Sequence, residues 1–286
     1  MLELVTEPFA FGFMRTALYA GLLTVLASSV IGTWVVLRGM AFMGDALAHG
    51  VLPGIAIAFI LGGNLMIGAA ISAAVMIGGV SLASARSRLG EDTSIGLLFV
   101  GMLAAGVAII SKGGAYAGDL TTILFGDPIG VTRGDLWVAL AAAAATLVIT
   151  VVFYRPFLVL SFSRAKAQAL GLRPGATHLV MLAAIALVVV TSFRTVGTLL
   201  VFAFLVAPPA TASLLSRRVP VMMGVAMLVG GACVFAGLLV SFHFATATAA
   251  TIAGLTVLVF FLTLAVKEVR DRIVRWRGDR HAPAAV

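Results

Sequence analysis

The sequence predicts an all-α fold, a polytopic membrane helix bundle of about eight to nine spans with broken helices, and three observations carry that expectation. Of 286 residues, 62% are hydrophobic and only 10% are charged, a balance that in water would leave large apolar areas exposed. The mean hydropathy is +1.16. A bilayer-spanning helix uses roughly 20 mostly apolar residues, so the apolar content suffices for about eight or nine crossings with short links between them. Finally, 19 Lys and Arg stand against 11 Asp and Glu, and the basic residues collect in short connections and in a tail, as cytoplasmic loops of membrane proteins do. That placement directs the charge of +8 to lipid topology and away from nucleic acid. The single cysteine, Cys233, excludes an intrachain disulfide and a cysteine-rich metal site. No Gly-x-x-x-x-Gly-Lys-Ser/Thr phosphate loop occurs, so any ATP hydrolysis belongs to another chain.

Taken in order, Leu18 to Leu37 is the first span, bracketed by Arg15 and Arg38. The stretch before it carries Glu3 and Glu7, no Lys or Arg up to Phe9 and no small-residue cleavage site, so no secretory signal is expected. Ala46 to Leu61 follows after a short link over residues 39–44, and Leu65 to Ala85 ends at Arg86 and Arg88. Glu91-Asp92-Thr93 reads as the cap of the fourth span, Ser94 to Ile110, by supplying acceptors and negative charge to free backbone amides. The connection Ser111 to Gly134, with Lys112, Asp119, Asp127 and Arg133, is expected outside the cell and partly re-entrant, since its apolar run Leu120 to Phe125 is too short to cross. Leu136 to Tyr154 returns to a link holding Arg155, Arg164, Lys166 and Arg173, the strongest interior cytoplasmic signal. His178 to Phe193, a tight turn at Arg194, Val196 to Leu215 ending at Arg217-Arg218, Val221 to Val240 and Thr248 to Val266 complete the pattern. The tail from Lys267 to Arg280 holds six basic residues against three acids, and alternation puts the N-terminus outside. The chain is a single transmembrane domain over 1–286, with 267–286 a basic cytoplasmic tail.

The polar exception in the first half is the segment from Met43 to Gly54. Asp45 and His49 are four apart, so on a helix they share one face and can contact one ion together. A carboxylate and an imidazole suit Zn²⁺ or Mn²⁺ better than Ca²⁺ or Mg²⁺. Pro53, followed by Gly54, has no amide hydrogen, so a helix running through it leaves the His49 carbonyl unpaired, which lipid tolerates only beside protein or a water-filled cavity. Two ionisable groups and a helix break at one depth mark a translocation path. The bland reading is an Asp-His pair bonded within the bundle or reaching the boundary beside Arg38. His178, His243 and His281 are read as interfacial or solvated residues. Pro208-Pro209 forms the second exception: it is expected to bend or end its helix, with a short helix at the cytoplasmic surface following up to Arg217-Arg218. That element is either a plain terminus with topology-setting arginines or a docking element for a cytoplasmic partner.

These residues resemble a known family, the metal-type ATP-binding-cassette permeases that import zinc or manganese together with a binding protein and an ATPase. The resemblance runs over nearly the whole chain. It rests on Gly44-Asp45-Ala46-Leu47-Ala48-His49-Gly50-Val51-Leu52-Pro53-Gly54, Glu91-Asp92-Thr93-Ser94-Ile95-Gly96, Leu124-Phe125-Gly126, Ala169-Leu170-Gly171-Leu172, and Val196-Gly197-Thr198-Leu199-Leu200 through Pro208 to Arg218. It implies a homodimer flanking one pathway in the plasma (inner) membrane of a prokaryote, with metal contacted by Asp45 and His49. It further implies a cytoplasmic ATPase subunit holding the ATP, an extracytoplasmic metal-binding protein, and no permanently bound cofactor. The ATPase-coupling helix would follow Pro208 and Pro209, at about Ala212 to Met223, with Arg217 and Arg218 in it, and the link from Phe162 to Gly175 resembles the family's other cytoplasmic loop. Two departures stand out: Phe162-Ser163 where many relatives have Phe-Asp, and Ala247-Thr248-Ala249 where they have Pro-Thr-Gly, which implies a straighter last span.

The expected function is therefore the permease subunit of an importer for a divalent transition metal, zinc favoured over manganese, and not an enzyme. The alternative is an ion-coupled secondary metal transporter in which Asp45 and His49 relay protons or metal. An intramembrane metalloenzyme is disfavoured, because no His-Glu-x-x-His or comparable hydrolytic set is present.

Overall fold

The computed structural model describes residues 7–86, 91–112 and 130–279. Among these residues the regular elements are helices: α1 (Gly12–Leu37), α2 (Ala41–Gly50), α3 (Leu52–Ile60), α4 (Leu65–Arg86), α5 (Glu91–Lys112), α6 (Arg133–Val152), α7 (Tyr154–Phe162), α8 (Arg164–Ala169), α9 (Pro174–Val196), α10 (Thr198–Leu215), α11 (Val219–Phe244) and α12 (Thr248–Asp279). Eight stretches are long and apolar enough to cross a bilayer, with α2 and α3 together forming one of them, and α10 adds a shorter apolar helix. The 18 residues of α10 reach about 27 Å at 1.5 Å per residue, close to a hydrocarbon core of about 30 Å.

The helices sort by burial rather than by hydropathy, because lipid accepts apolar side chains as readily as a protein core does. α1, α2–α3 and α9 form the interior, while α5 and α12 are mostly uncovered. α1 is central and packs against α6, α9, α10 and α11. Its Trp34 is fully buried between the ring edges of Tyr154 and Phe157, with centroids 5.4 and 5.6 Å away. On the outward helices Val100, Trp137 and Leu258 are exposed, as lipid-facing residues are. With no hydrophobic drive between helices in lipid, close approach of backbones holds the bundle. Accordingly, a Cβ on residue 32 would collide with the Leu205 carbonyl oxygen, and one on residue 54 with that of Gly68.

Arg38 Nη1 donates to His178 Nδ1 at 3.0 Å, tying the end of α1 to the start of α9. Successive crossings alternate, so this end also collects Arg86, Arg155, Arg164, Lys166, Arg173, Arg217 and Arg218, the end that the positive-inside rule expects in the cytoplasm.

Several local expectations change. α5 begins at Glu91 itself, so the acidic triplet forms the first helical turn instead of preceding it. Asp45 lies inside α2, which starts at Ala41, and the link before it shrinks accordingly. α6 starts at Arg133 because Thr132 and Asp135 form a reciprocal capping box. The tight turn expected at Arg194 sits at Gly197, whose φ of +80 favours glycine; Arg194 remains in α9.

The largest correction concerns Pro208 and Pro209, which lie inside α10 without ending it. Proline at 209 denies a helix partner to the Leu205 carbonyl, and that oxygen lies against Gly32 on α1, where any side chain would collide with it. Thr211 Oγ1 donates to the Ala207 carbonyl at 2.8 Å. No separate short helix follows: α10 ends at Leu215, Ser216 is extended, and α11 starts at Val219 with Pro220 in its first turn. Pro220 opens a helix because the first turn needs no amide donor there. The helix expected at Ala212 to Met223 is thus two helix ends around a turn. The short free-standing helix on this side is α8, capped by the Ser163 side chain, which accepts the Lys166 N–H at 3.2 Å. α12 runs unbroken from Thr248. Most of the Ser111 to Gly134 connection, the Leu124-Phe125-Gly126 motif and His281 lie outside the described residues.

Candidate metal pathway

α2 and α3 are one apolar stretch interrupted at Val51, the residue between Gly50 and Leu52. Pro53 falls in the first turn of α3, where its missing N–H costs nothing. The ten residues of α2 rise about 15 Å from the cytoplasmic turn, which sets the interruption about half-way across the hydrocarbon. Asp45 and His49 occupy the same face of α2, one turn apart. His49 Nε2 lies 3.5 Å from Asp45 Oδ1, with 25% and 27% of the two side chains exposed. That separation exceeds a good hydrogen bond, yet it sets a nitrogen and an oxygen close enough to contact one ion together.

The other imidazole nitrogen, Nδ1, is buried and has no hydrogen-bond partner among the described residues. A metal-binding histidine usually donates this N–H to a carbonyl or carboxylate that fixes the ring. Here the ring is held by packing, edge-on to Phe99 of α5 at 5.8 Å, and Phe99 meets Phe42 at 5.5 Å. Two ligands without that supporting bond make a weak site from one copy of the chain. Among the described residues no group of three or more His, Cys, Asp or Glu is placed to hold a metal ion.

The interruption itself is gripped by α4, a contribution the sequence reading missed. Ser72 Oγ donates to the Gly50 carbonyl at 2.8 Å, and Ser72 is 4% exposed. The Met76 sulfur, one turn further, fills the place where residue 50 has no Cβ. The backbones of Gly54 and Gly68 cross without side chains between them, and Gly106 of α5 backs onto Leu52 and Pro53. In the sequence, the Gly50-x-x-x-Gly54 pair is a signal for such close helix approach, though it does not name the partner helix. His178 is engaged with Arg38, and His243 with the Leu239 carbonyl at 2.9 Å; neither joins Asp45 and His49 in a common cluster. Arg217 and Arg218 are exposed in the turn after α10, far along the chain from the interruption and at the cytoplasmic end.

A family model described as the ABC 3 transport family matches residues 10–267. The chain is 37% identical over 272 residues to the manganese transport system membrane protein MntC of Halalkalibacterium halodurans, covering 95% of this chain and 93% of that protein. It is 34% identical over 275 residues to the chelated iron transport system membrane protein YfeD of Yersinia pestis, covering 95% and 92%. A solved structure, PsaBC from Streptococcus pneumoniae in complex with Fab, superposes with a TM-score of 0.81 at 30% identity, covering 92% of this chain and 94% of that one. With nearly the whole chain matched in sequence and in helix arrangement, this multi-pass membrane protein belongs to the ABC 3 transport family, the metal-type ATP-binding-cassette permeases.

Proposed function

We propose that the chain imports a divalent first-row transition metal across a prokaryotic plasma membrane, manganese before iron, as one of two identical copies flanking a single pathway. The carrying observation is the Asp45–His49 pair on the last turns before the interruption of a spanning stretch at Val51. An ionisable pair at that depth is costly unless it serves a path, and an oxygen–nitrogen set fits Mn²⁺, Fe²⁺ and Zn²⁺ alike. Zinc was favoured over manganese on the residues; the relatives described above are named for manganese and for chelated iron, which supports placing manganese first and testing zinc as a competitor. A second copy would bring its own pair to the pathway and raise the ligand count, and an extracytoplasmic binding protein would deliver the ion.

The ATPase is a separate chain, and we place its docking surface at the basic end. The Ser216 to Arg218 turn beyond Pro208 and Pro209, and α8 with the flanking Phe162 and Leu170 exposed at 77% and 67%, supply basic and apolar contacts there. Family membership supports this reading over ion-coupled secondary transport. The test is uptake of radioactive manganese into vesicles that carry the permease and its ATPase with ATP inside, in the presence of the binding protein outside. ATP-dependent accumulation, inhibited by excess unlabelled manganese more strongly than by zinc, is expected; uptake driven by an ion gradient without ATP would overturn the reading.

A further inference from the structure

We propose that the cytoplasmic extension of α12 is a second docking element for the ATPase chain, received in an apolar groove with acidic edges; this rests on the reading above.

The extension is a matter of length. α12 has 32 residues, about 48 Å, against a hydrocarbon core of about 30 Å. Its first turn is level with the start of α10, since Thr248 and Ile252 line one small cavity with Val196 and Leu200. α10 and α12 pack side by side, and α10 ends after 18 residues; the same rise from Thr248 reaches only to Ala265. From Lys267 onward α12 outlasts its neighbour. Residues 267–272 read Lys, Glu, Val, Arg, Asp, Arg, a charge density that hydrocarbon excludes. The part from Lys267 to Asp279 therefore extends roughly 20 Å past the end of α10.

At the root of this extension and along it, Val266, Val269 and Ile273 are 68%, 57% and 47% exposed. Their spacing of three and four residues sets them in one stripe along the helix, and the sequence continues the spacing at Trp276. Lys267, Arg270 and Arg272 flank it. Arg272 bonds Glu268 on its own helix, Nε to Oε1 at 3.1 Å, and further Arg275 and Arg277 follow in sequence.

Three coverings are conceivable for such a stripe, and the structure separates them. A second copy of α12 laid stripe to stripe would set Arg270 and Arg272 against the same basic residues, and like charges flanking a helix seam oppose pairing. The bilayer surface would require the helix to fold over at the headgroups, whereas α12 continues unbroken to Asp279. A cytoplasmic protein with an apolar groove and acidic rims satisfies both the stripe and its flanks, in the helix-in-groove manner. The ATPase is the chain that must sit at this end.

The experiment uses the complete transporter in membranes, with a photo-reactive amino acid at residue 273. A permease–ATPase adduct is expected; an adduct with a second permease, an adduct with lipid, or none overturns the proposal. In parallel, Val269→Glu combined with Ile273→Glu is expected to lower co-purification of the ATPase by about tenfold while the permease still inserts; unchanged co-purification overturns the proposal too. Wild-type vesicles assayed alongside for ATP-dependent uptake keep the two readings apart. Uptake that depends on ATP without a crosslink at 273 sinks only this inference, whereas uptake that ignores ATP sinks the function it rests on.

Discussion

Ser72 should govern the interruption after the helix that carries Asp45 and His49, and Ser72→Ala is the sharpest way to ask. The hydroxyl donates 2.8 Å to the Gly50 carbonyl, an acceptor that the end of α2 leaves without an intrahelical donor. Ser72 is 4% exposed, so bulk water does not readily replace it. Removing the donor leaves a buried carbonyl unsatisfied, at a cost of about 1–3 kcal/mol. For a chain of this size about 1 kcal/mol moves the melting temperature by roughly 2–4 °C, so a fall of about 2–12 °C is expected in detergent. The same loss loosens the turn that orients His49, so half-saturation for metal uptake should rise by about fivefold or more. The fitting control is Thr263→Ala. Its hydroxyl donates to the Val259 carbonyl of its own helix at 2.7 Å, an acceptor already used by the helix, so a change within about 0.5 kcal/mol is expected. Equal melting temperatures and equal uptake for wild type and Ser72→Ala would show that α4 does not hold the break.

Four further outcomes are expected. Asp45→Ala or His49→Ala should abolish uptake, at least a hundredfold in initial rate, while the protein still elutes as a folded complex; normal uptake by His49→Ala would exclude the pair as ligands. Gly32→Val should destabilise the bundle by more than about 3 kcal/mol, read as lost accumulation or early melting, because backbone and not a flexible side chain occupies the space. Cysteine at Ser163 should resist an impermeant thiol reagent in intact cells and cysteine at Thr246, exposed in the turn between α11 and α12, should react, and the reverse pattern would invert the topology. Arg217→Glu with Arg218→Glu should release the ATPase in pull-down or leave ATP hydrolysis uncoupled from transport, and a double variant with normal binding and uptake would reduce both arginines to topology anchors.

What the sequence determined by itself is the solvent, the clustering of basic links at one end of the bundle and the ionisable pair. Composition demanded lipid, because 62% hydrophobic residues have no other place. The basic links mark the end expected in the cytoplasm because a charge is costly to carry across a membrane. Asp45 and His49 stood out because an i, i+4 spacing guarantees a common helical face wherever the helix goes. Pro53 likewise told of a break, since a missing N–H is a local covalent fact. Everything that depended on a partner helix was undetermined. Pro208 and Pro209 carry the same covalent defect as Pro53, yet α10 continues through them, and the Leu205 carbonyl that Pro209 leaves without its helix donor lies against Gly32 of α1, more than 170 residues away in sequence. Ser72 reads as one more small residue in an apolar span until α4 is laid beside α2 and its hydroxyl meets the Gly50 carbonyl. Hydropathy is blind to these pairings because in lipid the inward and outward faces are equally apolar. Only tertiary contact decides which backbone group is left unpaired and which distant residue answers it.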